Sequence, residues 1–296
     1  MNPPNCRFCH SPLATTMADL GIASTPNQAQ HANTDTATQR TQALNVFICD
    51  RCFLVQSPTH RLDRPFFVGD ESDISSRQTH ASHYTEMMID RFGLTPENLV
   101  IEHDSIDGDI LPNFRRANIP VLGIPPYPHI AQHSGPDDQP SIAEPFGGDV
   151  AEQLTADHKQ ADLFISHNSL DSVPDLNDFV LGIQTVLKPD GVFTLEFPHL
   201  LRMMQQNPCN LICHRRVTYF SFLTVEKIFS QHGLTLFDVE EIPAHGGSLR
   251  LFGRHDDHCQ LAITPKVDAL RDQEKAAGLD KLETYQNFGQ PPSDHN

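Results

Sequence analysis

Leu99-Val100-Ile101-Glu102-His103-Asp104-Ser105-Ile106-Asp107-Gly108 is the stretch that decides the fold. Its opening, Leu99 to Glu102, has the unbroken apolar character of a strand buried on both faces. Asp104 to Gly108 then reads as a turn, followed by a short helix through Phe114. Downstream the same alternation repeats. Pro120 to Ile124 is a second strand and Ala161 to Ser166 a third. Asp175 caps a helix whose Leu176, Phe179, Val180, Ile183, Val186 and Leu187 fall on one face. Lys188-Pro189-Asp190-Gly191 turns into a fourth strand, Val192 to Phe197, and Thr224 is placed to cap a further helix that stops at Gly233. Upstream, Ser76 to Leu94 is predicted helical, with Tyr84, Met87, Met88 and Phe92 recurring at helical spacing.

Strands alternating with helices imply an open, parallel, Rossmann-like α/β sheet. Two last strands, Leu234 to Ile242 and Ser248 to Gly253, flank Ala244-His245-Gly246-Gly247. Too little chain lies between them for a helical crossover, so they should pair antiparallel. Ligands of such sheets bind beyond the carboxyl ends of the strands, near the point where strand order reverses. That rule puts Glu102 to Gly108, and the segment after Ile124, on the binding edge.

Ahead of this domain stand two cysteine pairs, Cys6-x-x-Cys9 and Cys49-x-x-Cys52, separated by 39 residues. Two thiolates on one tight turn can reach a single ion, and two such turns complete a closed tetrahedral zinc site. A closed site is a staple and leaves no open position for chemistry. Two disulfides or two redox dithiols are the alternatives, and the scatter of Cys209, Cys213 and Cys259, expected as free buried thiols, argues against a disulfide framework. Between the pairs, His31 to Thr41 reads as a solvated loop.

The chain has 296 residues, enough for one large domain and a small appendage. Residues 1–75 are read as zinc-binding module and connector, 76–260 as the α/β domain, and 261–296 as a helical and polar tail that buries little on its own. With 38 acidic against 21 basic side chains the net charge is −17, which argues against a nucleic-acid partner. No apolar run reaches the roughly 18–20 residues of a membrane span. The expected protein is soluble and cytoplasmic, with no membrane partner.

An open parallel sheet closed by an antiparallel strand is the usual class I methyltransferase architecture. Several motifs narrow the resemblance: the paired cysteines, the Glu102–Gly108 loop, Val173-Pro174-Asp175-Leu176, Glu196-Phe197-Pro198-His199-Leu200, Tyr219-Phe220-Ser221 and His245-Gly246-Gly247-Ser248-Leu249-Arg250. In that order they resemble the S-adenosylmethionine-dependent C-methyltransferases that act on nucleotide-linked keto-deoxysugars. The resemblance covers nearly the whole chain and implies structural zinc, S-adenosylmethionine and a nucleotide-sugar substrate. It also implies a further C-terminal α/β domain, at whose threshold, near Tyr285 and Phe288, this sequence stops.

The implied reaction removes a proton beside a ketone, and the enolate takes the sulfonium methyl group. Carried over by position, Glu102, Asp107 and Gly108 match the donor-binding loop, and Asn168 matches an asparagine after the third strand. Departures are specific. Asp104 and Ile106 replace a glycine and an asparagine of the loop, and Pro125 stands where an acid grips the donor's ribose. Ser172 replaces a histidine, the aromatic pair expected near Ser72 and Ile74 is missing, and Arg216 replaces the histidine base. A guanidinium stays protonated and cannot abstract a proton. His214, the imidazole beside it, is the expected base if the chain turns over, or else a structural or surface side chain; His245 could contact sugar or phosphate or bond its own turn, and Tyr219 could bond the sugar or be a core aromatic. Arg215 and Arg216 could pair with a diphosphate or be a solvated basic pair, and His199 could serve the site or cap its strand. The alternative reading is a non-catalytic relative that keeps zinc and sugar-nucleotide binding without turnover.

Overall fold

The computed structural model describes residues 4–24, 41–57, 74–103, 109–125, 144–206, 216–243 and 246–288. Strands β1 (Thr15–Ser24), β2 (Thr41–Ile48) and β3 (Val55–Gln56) come first, followed by helix α1 (Ile74–Phe92). Then come β4 (Val100–His103), α2 (Leu111–Arg116), β5 (Val121–Ile124), α3 (Gly148–Ala156), β6 (Ala161–His167), α4 (Leu176–Val186) and β7 (Leu187–Pro198). The chain continues through α5 (Leu200–Gln206), β8 (Thr218–Tyr219), α6 (Phe222–Gln231), β9 (Leu234–Ile242), β10 (Ser248–His255), α7 (Pro265–Ala276) and α8 (Leu282–Gln286).

The large sheet has the order β5-β4-β6-β7-β10-β9. β4 pairs parallel with β5 and β6, and β6 with β7. β10 is antiparallel to both β7 and β9, as the short connection to β9 demands. Strand order reverses between β4 and β6, which fixes the ligand crevice at their carboxyl ends.

Side chains alternate across this sheet. Leu163 and Ile165 pack with Tyr84 and Met88 of α1, whereas Phe164 packs with Val150 of α3 and Phe179 of α4. Toward the carboxyl ends the α1 side turns polar: Glu102, Thr194, Glu196 and Arg250 are all buried there.

Three local expectations are corrected. Lys188-Pro189-Asp190-Gly191 continues β7, and the register against β6 shifts between Ala161 and Leu163. A Cβ on Gly191 would lie 2.7 Å from the Ala161 carbonyl oxygen, so only glycine lets the two backbones approach there. Helix α6 is capped by Ser221, whose side chain accepts from the Thr224 N–H; Thr224 lies inside the helix and its hydroxyl donates to the Phe53 carbonyl. The tail also buries more than its polar composition suggests: Val267 and Leu270 enter the main core, and Tyr285 packs against the N-terminal strands. His31 to Arg40 and the motif positions near Ser72 lie outside the described residues.

The N-terminal strands and β8 form one antiparallel sheet, β1-β2-β3-β8. Because β8 belongs to the larger domain, the two units share a sheet and a core.

Glu274 of α7 ties the tail to this arrangement. Its carboxylate accepts from the Phe222 and Leu223 N–H groups at 2.6 and 2.9 Å, in the first turn of α6. It also meets His199 Nε2 at 2.7 Å, with both side chains fully buried. A carboxylate at a helix N-terminus satisfies donors that the helix itself leaves orphaned. Glu274→Ala strands all three groups, and the expected loss is about 3–5 kcal/mol in a denaturant titration. Asp268→Ala on the solvent face of the same helix should stay within about 0.5 kcal/mol.

Candidate functional site

Two sites are built on this frame. The first holds Cys6, Cys9, Cys49 and Cys52, whose sulfurs all lie within 4.8 Å of one another. The two cysteine turns are copies of one hairpin. In the first, His10 N–H donates to the Cys6 carbonyl and Cys6 N–H to that of Ser11; in the second, Phe53 donates to Cys49 and Cys49 to Leu54. His10 and Phe53 take left-handed backbone, with φ of +60° and +61°, to close these turns. Contacts from Cys49 and Cys52 hold the Cys6 thiol down at about 3, while the same crowding pushes Cys52 far up. Four thiols this close cannot all ionise unaided, and a divalent cation removes the conflict. The donor set fits zinc, with Gln56 Nε2 donating to Cys6 Sγ at 3.2 Å from outside the cluster.

The larger domain grips both turns. Asn177 near the start of α4 donates to the Arg7 and Phe8 carbonyls, and Lys227 of α6 to that of Arg51. Ser57 follows β3, where its N–H donates to the Val217 carbonyl and its hydroxyl to that of Arg216. The zinc hairpins therefore hold the chain leading into β8.

The second site is the carboxyl rim on the α1 side. His167, Glu196, Arg250 and Glu240 are register partners across the four adjacent strands β6, β7, β10 and β9. Arg250 Nε donates to Glu196 Oε1 at 2.5 Å, and Nη1 to Glu240 Oε2 at 3.1 Å. His80 of α1 drops Nε2 to 3.2 Å from Glu196 Oε2. One turn later Tyr84 stands edge-on to His167, lies under the Arg250 guanidinium and shares a 2.6 Å bond with Thr194. Burial alone would push Glu196 up, but His167, His80 and Arg250 together hold its carboxyl down at about 2. Burial pushes the imidazoles the other way: His167 lies at about 4 and His103 at about 3, so both are neutral at physiological pH. His103 is on the opposite face, bonded to Ser169 and against Phe179.

The predicted site residues are distributed as follows. Glu102 is buried at the end of β4, on the same sheet face as Glu196. Asn168 follows β6 with left-handed backbone (φ +54°), and its N–H donates to the Glu196 carbonyl at 2.7 Å. Tyr219 is buried among Met17, Val46, Val55, Leu200 and Met203 in the core beside the N-terminal sheet. Arg216 Nε donates to Asp171 at 2.7 Å, so this guanidinium is engaged within the protein. His199 is bound to Glu274, and Cys259 is exposed rather than buried. Asp107, Gly108, His214, His245, Cys209 and Cys213 lie outside the described residues. The Glu196–Arg250–His80 constellation was not assigned from sequence, although Glu196 and Arg250 stand in quoted motifs. The available signal was an acid interrupting a strand otherwise buried on both faces.

This strand order is that of a class I methyltransferase sheet. A methyltransferase-domain family model matches residues 88–239, more than half of the chain. The chain belongs to this methyltransferase family. A zinc-binding-domain model matches residues 6–61, and a C-methyltransferase C-terminal-domain model matches residues 243–295. C-methyltransferase NovU of Streptomyces niveus is 27% identical over 289 residues, 96% of this chain and 68% of that protein. The solved PH0226 protein of Pyrococcus horikoshii shares the fold, with a TM-score of 0.50, 14% identity, and coverage of 67% of this chain and all of that one. The protein is an S-adenosylmethionine-dependent methyltransferase with a four-cysteine zinc domain. No helix among the described residues is long and apolar enough to cross a membrane.

Two outcomes follow for the methyltransferase. Metal analysis should return about one zinc per chain, and Cys49→Ser should lose it. Because Cys6, Cys49 and Cys52 share a core with Phe164 and Phe179, that loss should lower the melting temperature of the whole molecule by about 10 °C or more. Acid should destabilise the fold in two stages. The unfolded chain protonates His103 and His167 below 6.5 whereas the folded chain resists to about 3 and 4, so stability falls as pH drops through that window. Glu196, held at about 2 against an ordinary 4.5, adds a further loss below 4.5. In urea titrations His103→Gln should reduce the difference in stability between neutral pH and about pH 5 by about 1–2 kcal/mol.

Proposed function

We propose that this methyltransferase transfers the methyl group of S-adenosylmethionine to the carbon beside the ketone of a nucleotide-linked keto-deoxysugar. The observation that carries this reading is the meeting of Glu196 and Arg250 at the rim. They come from Glu196-Phe197-Pro198-His199-Leu200 and His245-Gly246-Gly247-Ser248-Leu249-Arg250, two runs that in combination resemble those of the sugar C-methyltransferases. Similarity to a C-methyltransferase over 96% of the chain supports the same acceptor chemistry.

Bound S-adenosylmethionine would supply an electrophilic methyl group. Glu102, Asp107, Gly108 and Asn168 would hold it along the β4–β6 crevice, with Pro125 offering its ribose no charge and no donor. Glu102 and Asn168 fit that role by position: both lie where strand order reverses. On the acceptor side the sequence assigns His214, His245 and Tyr219. Carbon methylation then needs a base for the acidic C–H and donors for the oxyanion.

Calorimetric titration should show binding of S-adenosylmethionine at one site per chain. Incubation with a thymidine diphosphate-linked 4-keto-6-deoxyhexose should place one methyl group on carbon. Pro125→Asp, which restores the ribose-gripping acid, should tighten donor binding by about tenfold. Binding of donor without methylation of any keto-sugar nucleotide would sink the acceptor assignment, and absence of donor binding would leave only the non-catalytic alternative.

A further inference from the structure

We propose that His80, held in place by Glu196, is the base that takes the proton from the acceptor carbon. The inference rests on the reading of this chain as a carbon methyltransferase.

The geometry is that of a histidine–carboxylate dyad at a ligand edge. His80 Nε2 lies 3.2 Å from Glu196 Oε2, and its side chain is 38% exposed against 5% for Glu196. One ring nitrogen thus faces inward onto a buried carboxylate, and Nδ1 has no partner among the described residues. Arg250 Nη2, 3.3 Å from the same His80 nitrogen, carries only donors, and Arg250 already engages Glu196 and Glu240. The guanidinium contact calls for a lone pair on Nε2 and the shorter carboxylate contact for Nε2–H; with Nε2–H on Glu196, Nδ1 keeps its lone pair toward solvent.

Glu196 and Glu240 contribute two negative charges and Arg250 one positive, while His167 and Tyr84 are held neutral by burial. The imidazolium formed in the step lies beside a carboxylate that is already oriented. Position agrees. Glu196 and His167 pair at the carboxyl ends of β7 and β6, next to the β4–β6 crevice. At position 216, where the resembled family keeps its base, this chain has an arginine bound to Asp171.

The step balances simply. The Nδ1 lone pair takes the proton, the C–H electron pair becomes the enolate double bond, and the ketone oxygen gains the negative charge. Glu196 keeps its bond to Nε2–H throughout, and the proton later leaves Nδ1 for water. Glu196 is a positioning residue in this step, and His80 alone touches substrate.

Proton removal can be read without any methyl donor. Full-length zinc-loaded protein in D2O, mixed with a thymidine diphosphate-linked 4-keto-6-deoxyhexose, should incorporate deuterium at the carbon beside the ketone, followed by NMR. His80→Ala should slow this exchange about 10²- to 10⁴-fold with little change in melting temperature, since the side chain is half-exposed. Added imidazole should restore exchange in His80→Ala, a response that a purely structural histidine would not give. Glu196→Gln should lower the exchange rate while probe binding persists, and His83→Ala, exposed on the same helix, should leave exchange unchanged. Exchange in His80→Ala within about threefold of wild type overturns the assignment, as does a loss that imidazole fails to restore. Exchange abolished by His214→Ala but retained in His80→Ala moves the base to His214. Wild-type protein that exchanges no deuterium instead removes the carbon-methyltransferase reading itself.

Discussion

A buried ion pair, Glu196 with Arg250, is the contact around which the catalytic half is organised. Taking both charges out of water costs several kcal/mol each, and a single partner returns that only when the remaining lone pairs and protons are satisfied. Here they are satisfied from three directions. Glu240 takes a second guanidinium nitrogen from the outer strand, His80 meets the far carboxylate oxygen from α1, and the guanidinium sits over the Tyr84 ring. The antiparallel β10 makes this possible, because it places Arg250 in register between Glu196 and Glu240. Removing either Glu196 or Arg250 would strand the other's charge at the depth of the core.

The zinc hairpins impose the second constraint, and they act on the chain around β8. β3 pairs with β8, Ser57 bonds the backbone at 216 and 217, and α4 and α6 each hold one cysteine turn. The metal thus fixes the chain that the family resemblance places beside the acceptor. Glu274 completes the enclosure by joining α7 to the start of α6 and to His199. His199 stands in a motif read as functional, and its buried partner gives it a packing role that links the tail to the end of β7.

Much of this was legible in the residues. The four parallel strands, the antiparallel closing strand, the Asp175 cap and the cysteine turns follow from local apolar runs, turn chemistry and spacing. The misplacements share one cause. Thr224 looked like a cap because a threonine opens the apolar stripe, yet an extended backbone at Ser221 decided the helix start. Lys188 to Gly191 looked like a turn because proline and glycine usually punctuate, yet pairing with β6 carried the strand through them. Tail residues such as Val267 and Tyr285 looked too sparse to pack, because the surfaces they cover belong to distant segments.

Sequence alone determined the kind of sheet, the identity of the metal ligands and the family motifs, since each depends on neighbours within a few residues. Only the tertiary structure decided which polar residues meet. His80, Glu196 and Arg250 are separated by 116 and 54 positions, and nothing local marks them as partners. They meet because α1 lies across the strand ends and β10 runs opposite to β7, and because a charge buried there is stable only when its partners arrive together.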